Sequence, residues 1–147
     1  MTGGLRGGDF CTYTGRPSAG KTFLLLHTAL RSWLGGGVPL FVSMEMNPLI
    51  IMQRLAAMKV GVNLTKLLTA QMTNSKFAHL KQGLQAIGTV DHPFWVVDGN
   101  LATKGEDIIM LCNQLQPTSV EVDGAYLLRH PNPRINKFDR ITENAEL

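Results

Sequence analysis

The sequence predicts an α/β domain in which a mainly parallel sheet is flanked by helices, and three observations lead to this prediction. A glycine-containing loop at residues 15–20 stands between a strand-like run and a helix-like run. Three later strand-like runs, 38–43, 93–98 and 119–123, each end on a polar side chain. Segments of helical length separate these runs, and such alternation is typical of βαβ units.

The loop and the two residues after it fill every fixed position of the pattern G-x-x-x-x-G-K-[ST], which is a P-loop. A triphosphate is best held by several backbone N–H groups, and glycines let the backbone come close to it. Lys21 is expected to reach the β- and γ-phosphates, and Thr22 to offer its hydroxyl to Mg²⁺. The predicted site for ATP and Mg²⁺ therefore consists of Gly15, Arg16, Pro17, Ser18, Ala19, Gly20, Lys21 and Thr22.

Local signals predict the elements around this loop. Aromatic and β-branched side chains in residues 9–14 predict the strand before it, and residues 22–34 predict the helix after it. A glycine-rich turn that binds nothing is the alternative, and the order of strand, loop and helix disfavours it. The other predicted elements are strands at 38–43, 93–98 and 119–123, a helical turn at 64–68, and helices at 49–58, 74–87 and 103–115.

Two acidic residues stand at or just beyond the carboxyl ends of predicted strands. Ligands of open parallel sheets bind at that edge, so Glu45 and Asp123 are expected near the P-loop. Asp123 has the Walker B arrangement, in which a strand-end aspartate supports the Mg²⁺ held by the P-loop hydroxyl of Thr22. For Glu45 a plainer alternative stays open, namely that it only adds charge to the first turn of the next helix.

Composition and charge narrow the class of protein. The 147 residues are enough for one ordinary domain, and the net charge of +3 is weak support for contact with nucleic acid. No apolar run approaches the roughly 20 residues of a membrane helix, and the amino terminus lacks the apolar core of a signal peptide. A cytoplasmic protein without membrane contact is therefore expected.

A few single residues carry secondary expectations. Cys11 and Cys112 are predicted to be small core residues, because no metal-ligand spacing or disulfide framework surrounds them. His79 and His92 have no clustered partners and are expected on the surface or in turns. The basic tail is a candidate for contact with a DNA backbone through Arg129, Arg134 and Lys137, although a plain solvated loop fits it equally well.

The sequence resembles the ATPase core of the DnaB-type replicative helicases, a branch of the RecA-like P-loop proteins. This resemblance implies ATP hydrolysis coupled to movement on single-stranded DNA by a homo-oligomer, normally a hexameric ring, with a primase or a loader as further candidate partners. It also implies that Glu45 polarises the attacking water and that Asp123 serves the Mg²⁺ site. The residues that carry it are Gly3-Gly4-Leu5, Arg16 to Thr22, Phe41 to Met46, Arg54, Thr65-Lys66 and Asp123.

Three departures from the family pattern are visible. Glu121 stands in a buried strand where the family has an apolar residue, so it must find a partner or face a cavity. Residues 124–128 follow a variant associated with phage or plasmid relatives, and the chain ends at Leu147 where a family member would continue. The resemblance therefore implies one partial RecA-like domain over 1–147, without the amino-terminal primase-binding domain, the arginine finger or the strand next to the P-loop strand. Such a sheet would leave edges to be paired or covered.

Two other functions stay open at this stage. A recombinase-like or clock-type RecA ATPase would remodel protein or DNA without unwinding, and the run from Ser43 to Met46 speaks against it. A non-catalytic nucleotide-binding remnant of a helicase is favoured, for the isolated chain, by the elements that the resemblance implies are missing.

Overall fold

The computed structural model describes residues 5–69 and 71–130. Their elements alternate between helix and strand through most of the chain, as predicted. The helices are α1 Lys21–Leu34, α2 Pro48–Val60, α3 Leu64–Leu68, α4 Asn74–Gly88 and α5 Gly105–Leu115. The strands are β1 Pro39–Ser43, β2 Trp95–Asp98 and β3 Ser119–Asp123, and a 3₁₀ turn, Ala125–Leu127, follows β3.

The three strands form one parallel sheet in the order β2-β1-β3. β1 is central and buried along its whole length, as its apolar sequence predicts. The register pairs Ser43 of β1 with Asp98 on one side and with Asp123 on the other. Three polar side chains therefore stand in a row at the carboxyl edge of the sheet.

Helices cover both faces of this sheet, which gives the three-layer arrangement expected of βαβ units. On one face, α1 and α2 bury an apolar core around Phe41, which includes Leu26, Leu30, Trp33, Ile51 and Leu55. On the other face, α5 packs over Leu40 and Val42 together with Ala102. Alternation along β1 sends neighbouring side chains into the two different cores.

The predicted ends of α2 are confirmed by their capping contacts. The side-chain oxygen of Asn47 accepts a hydrogen bond from the amide of Leu49 at 2.8 Å, and Pro48 occupies the first helical position. Gly61 ends the helix in the left-handed conformation, with φ of 72°. Asn63 and Thr73 cap α3 and α4 in the same way as Asn47 caps α2.

The strand predicted at residues 9–14 is not formed, so that prediction is wrong. A segment with strand-forming side chains still needs a neighbouring strand to hydrogen-bond its backbone N–H and C=O groups. Among the described residues nothing pairs with the outer edge of β3. The segment runs largely exposed, with the Tyr13 hydroxyl 3.4 Å from that of Thr28 on α1. Cys11 is consequently exposed, which corrects its prediction as a core residue.

The predicted burial of Cys112 and the predicted surface or turn positions of His79 and His92 agree better with the structure. Cys112 is half-buried against the α5 side of the sheet, and this burial raises the pKa of its thiol. His79 is exposed, but His92 does more than occupy a turn. Its Nε2 lies 2.8 Å from the carbonyl oxygen of Trp33, and the indole of Trp33 donates to the His92 carbonyl at 3.0 Å. This pair fastens the end of α1 to the segment before β2.

No helix among the described residues is long and apolar enough to cross a membrane.

Candidate functional site

The loop at residues 15–20 turns sharply into α1. Gly20, at the N-cap, has φ of 85°, and Ser18 has φ of 61°, so two residues of the loop are left-handed. The amide of Ala19 donates to the carbonyl oxygen of Arg16 at 3.2 Å, which closes the turn. Within the described part of the chain no side chain caps the start of α1, so its first amides remain available to an anion.

Lys21 lies folded across the loop. Its Nζ donates to the carbonyl oxygens of Gly15 at 2.9 Å and Arg16 at 3.1 Å. The ammonium group is thereby held beside the same loop whose amides are available at the start of α1. A positive charge beside convergent amides is the arrangement that binds phosphate.

Asp123, the last residue of β3, is only 6% exposed. Burial raises the pKa of its carboxyl, as does the charge of Glu45 to a smaller degree, whereas a hydrogen bond with the Thr22 side chain lowers it. Its Oδ2 is buried and has no hydrogen-bond partner among the described residues. A buried carboxylate oxygen without a partner, next to a hydroxyl, fits the preference of Mg²⁺ for oxygen ligands.

Glu45 lies on the connector between β1 and α2, with its side chain exposed. The hydroxyl of Ser43 shapes this connector, because it donates to the carbonyl of Met46 at 2.8 Å and accepts from the Met46 amide at 3.2 Å. Glu45 precedes the N-cap Asn47, so it stands outside the first turn of α2. Its Oε1 accepts a hydrogen bond from the hydroxyl of Tyr126.

Comparison with known proteins identifies the family of this chain. The sequence profile of the DnaB-like helicase C terminal domain matches residues 1–143. The chain belongs to this family. It is also 34% identical over 100 residues to the replicative DNA helicase DnaB of Treponema pallidum (strain Nichols), a match that covers 67% of this chain and 22% of that protein. The chain thus matches about a fifth of the length of that curated relative.

A solved structure of an ATPase domain matches this chain with a TM-score of 0.76. The match covers 88% of this chain and 47% of that one, at 20% sequence identity. Such a likeness shows a shared fold. The predicted α/β RecA-like fold, with a parallel sheet between helices, is therefore confirmed.

The DnaB-like domain brings four of the predicted side chains together. The charges of Glu45 and Lys21 both act on the carboxyl of Asp123, and the side chain of Thr22 lowers the pKa of the same carboxyl. The glycines and small residues of the loop lie at the start of α1, directly before Lys21 and Thr22. Lys21, Thr22, Glu45 and Asp123 therefore meet beside the carboxyl edge of the sheet, where ligands of this fold class bind.

Two residues that lie next to the candidate site were not selected as site residues from the sequence. Arg54 of α2 is half-buried, its Nε is buried without a partner among the described residues, and its charge lowers the pKa of Asp123. The available signal was that Arg54 is the one charged residue between positions 48 and 58 of an apolar helix. Tyr126 had no comparable signal, because its contact with Glu45 joins positions 81 apart.

The predicted DNA contacts are only partly within the described residues. Arg129 is exposed, and its amide donates to the carbonyl of Thr103 at 2.7 Å. Arg134 and Lys137 lie outside the described residues. The basic tail therefore stays a prediction.

Glu121, the family departure in β3, is buried on the side of the sheet that α1 covers. The hydroxyl oxygen of Ser119 lies 3.5 Å from that of Ser32 on α1, and the side chain of Thr22 on α1 acts on Asp123. Glu121, between Ser119 and Asp123 on the same side of β3, therefore faces the same helix. Burial raises the pKa of its carboxyl to about 7, and a hydrogen bond with the Ser119 side chain opposes this. Its Oε2 has no partner within the described part of the chain. Ser119 is therefore a partner for the Glu121 carboxylate, as the sequence requires, but Oε2 is left without one among the described residues.

Proposed function

We propose that this chain is the ATP-binding and ATP-hydrolysing core of a replicative DNA helicase, in which hydrolysis drives translocation on single-stranded DNA and duplex unwinding. The observation that carries the proposal is the convergence of Lys21, Thr22, Glu45 and Asp123 at the start of α1. Membership of the DnaB-like family and the printed name of the Treponema relative support its biological setting. The unwinding activity is proposed for the whole subunit, of which this chain is the nucleotide-binding part.

In this proposal the triphosphate is received by the amides of loop residues 15–20 and by the ammonium of Lys21. Lys21 now bonds to two loop carbonyls, and it would exchange them for the terminal phosphates. This exchange requires little movement, because the carbonyls belong to the same loop as the amides. The loop thereby supplies position and charge, which are the main requirements of phosphoryl transfer.

Thr22 and Asp123 would hold Mg²⁺, through the Thr22 hydroxyl and the Asp123 carboxylate. Oδ2 of Asp123, which has no partner among the described residues, supports this assignment, because a buried carboxylate oxygen without a donor is costly unless something binds it. When bound, the ion neutralises negative charge on the phosphates. Asp123 would contribute directly or through a bound water, as is common for Mg²⁺.

Glu45 would orient and polarise the attacking water. Its carboxylate is exposed on the β1–α2 connector, so water reaches it freely, and it lies close enough to Asp123 to raise the pKa of that residue. A carboxylate that accepts a proton or a hydrogen bond from water in the transition state contributes typically 10²- to 10⁴-fold in rate. Glu45 is thus the proposed catalytic base, and Lys21 is the residue proposed to stabilise negative charge on the phosphates.

The proposed partners are single-stranded DNA and further copies of the subunit, arranged as a hexameric ring. Arg129, Arg134 and Lys137 are the proposed contacts with the DNA backbone, by charge rather than by base readout. A primase or a loader would bind elsewhere on the whole protein. A recombinase-like ATPase or a non-catalytic remnant would share the P-loop, so strand separation by the whole subunit distinguishes the proposed function from both.

The nucleotide site is tested by titrating a fluorescent ATP analogue with Mg²⁺ into the wild-type chain and Lys21→Ala. We expect Lys21→Ala to weaken binding at least tenfold, because charge-assisted bonds to phosphate each contribute about 1.5–3 kcal/mol. Lys76→Ala, an exposed lysine on α4, is the matched control and should bind as the wild type does. Equal affinity for Lys21→Ala and Lys76→Ala would refute the P-loop assignment.

A further inference from the structure

Tyr126 stands three positions after Asp123, in the segment where the sequence departs from the family pattern. Its hydroxyl donates a hydrogen bond to Oε1 of Glu45. A carboxylate has two oxygens and about four acceptor positions, so this bond leaves Oε2 able to accept from water. The contact therefore fixes the carboxylate without blocking it.

The backbone that carries Tyr126 is itself well fixed. Gly124 starts the 3₁₀ turn in the left-handed conformation, with φ of 86°. The amide of Leu127 donates to the Gly124 carbonyl at 2.8 Å, and that of Leu128 donates to the Ala125 carbonyl at 3.1 Å. The side chain of Leu128 is buried, which anchors the far end of the turn.

The turn also packs directly on the connector that carries Glu45. A Cβ atom placed on Gly124 would lie 3.0 Å from Cγ of Glu45 and 3.2 Å from Cβ of Met44. The amide of Met44 donates to the carbonyl of Asp123 at 2.9 Å. The connector and the turn are thus held together by the backbone as well as by the Tyr126 hydroxyl.

Glu45 has few other restraints on its side chain. It is exposed, and no lysine or arginine in the described ranges forms an ion pair with it. A free glutamate side chain samples many rotamers, and fixing such a side chain costs up to about 2 kcal/mol of conformational entropy. The bond from Tyr126 therefore decides which way this carboxylate points.

We propose that Tyr126 is a positioning residue for Glu45, which holds one carboxylate oxygen so that the other is directed at the attacking water. The inference rests on the proposed function of Glu45 as the residue that polarises this water. In this proposal Tyr126 acts through Glu45 and has no part in binding the nucleotide. Its loss should therefore slow the chemical step while nucleotide affinity stays constant.

Tyr126→Phe removes the hydroxyl and keeps the ring, so it is the direct test. Single-turnover hydrolysis of labelled ATP, with the whole subunit in large excess, should slow by roughly tenfold to a hundredfold. The Kd for the nucleotide should not change, which also shows that the fold and P-loop are intact. Tyr13→Phe removes the other tyrosine hydroxyl of the chain, and this control should hydrolyse at the wild-type rate.

A double-mutant cycle separates positioning from a general structural effect. In a Glu45→Gln background, Tyr126→Phe should cause no further slowing, because the residue it positions is already gone. Full additivity of the two changes overturns the inference, and so does a wild-type rate for Tyr126→Phe beside a slow Glu45→Gln. A wild-type rate for Glu45→Gln refutes the proposed function of Glu45 itself, and the inference falls with it.

A second measurement tests the bond without relying on turnover. Glu45 raises the pKa of the Tyr126 phenol, chiefly through their hydrogen bond, and the charge of Asp123 adds to this. In the Tyr13→Phe background the tyrosinate absorbance reports Tyr126 alone. We expect Glu45→Gln to lower the titration midpoint of the phenol, since the charged acceptor is removed. Identical midpoints for the two chains overturn the inference.

Discussion

Replacing Glu121 by glutamine should make the stability of this domain less dependent on pH. The carboxyl is 6% exposed beneath α1, with Oε2 lacking a partner among the described residues. Glutamine keeps the shape of the side chain and cannot ionise. The change therefore isolates the free energy of burying the carboxylate charge.

The sign follows from the direction of the shift. Burial raises the pKa of Glu121 from 4.5 to about 7, so the folded chain holds the proton more tightly than the unfolded chain does. Its contribution to stability is most favourable below pH 4.5, declines as the pH rises, and levels off above pH 7. The whole difference corresponds to about 3 kcal/mol, of which about 2 kcal/mol is lost between pH 5.5 and pH 8.

Urea unfolding followed by tryptophan fluorescence measures this loss, because Trp33 is buried in the core and reports its exposure. The experiment is done without Mg²⁺ and nucleotide, so that no ligand alters the titration of Asp123. Between pH 5.5 and 8 the wild type should lose about 2 kcal/mol more of unfolding free energy than Glu121→Gln. Contributions from His92 and Asp123 occur in both chains and cancel in the comparison.

Glu106→Gln is the matched control, since it removes an exposed glutamate from the first turn of α5. Its unfolding free energy should follow the wild-type pH dependence. The reasoning is refuted if Glu121→Gln also follows the wild-type pH dependence, because the carboxyl would then be as well solvated in the folded chain as in the unfolded one. A smaller difference of the expected sign would mean that water reaches Oε2.

Two further predictions concern the edge of the sheet. Thr22→Ala and Asp123→Asn should each abolish the Mg²⁺ dependence of nucleotide binding, measured by fluorescence titration with Mg²⁺ or EDTA, and survival of that dependence in both variants would contradict the metal assignment. Gly124→Ala should destabilise the chain by at least about 1 kcal/mol in urea unfolding, because an alanine there combines a left-handed φ with the close approach to Glu45. Gly88→Ala, where no described atom outside the helix backbone lies within 4 Å of an added Cβ, should not be destabilising, and equal effects of the two changes would contradict this account.

The parts of the fold that depend on local sequence were predictable. β1, α2 and α3 begin and end within about two residues of their predicted bounds, because apolar runs, Asn47 and Gly61 act over a few positions. The turn from loop residues 15–20 into α1 was equally predictable, since its sequence pattern is contiguous. Local signals therefore placed Lys21 and Thr22 correctly at the start of a helix.

The features that failed or were missed depend on distant parts of the chain. Residues 9–14 have strand-forming side chains, but a strand also needs a neighbour, and β3 offers an edge that nothing pairs with among the described residues. The Tyr126–Glu45 bond and the Trp33–His92 pair join positions 81 and 59 apart. No periodicity or spacing reports such contacts, so they follow only from the folded arrangement.

The register of β3 explains why the site and the buried Glu121 occur together. Side chains alternate along a strand, so the register that turns Asp123 toward Thr22 also turns Glu121 toward α1. A register shift of one residue would turn Glu121 toward the opposite face of the sheet, but it would also turn Asp123 away from the hydroxyl of Thr22. An apolar residue at position 121 avoids this conflict, whereas glutamate makes the folded chain less stable above pH 4.5. The pairing of β1 with β3 must therefore be strong enough to hold an unfavourable charge beneath α1 so that Asp123 stays beside Thr22.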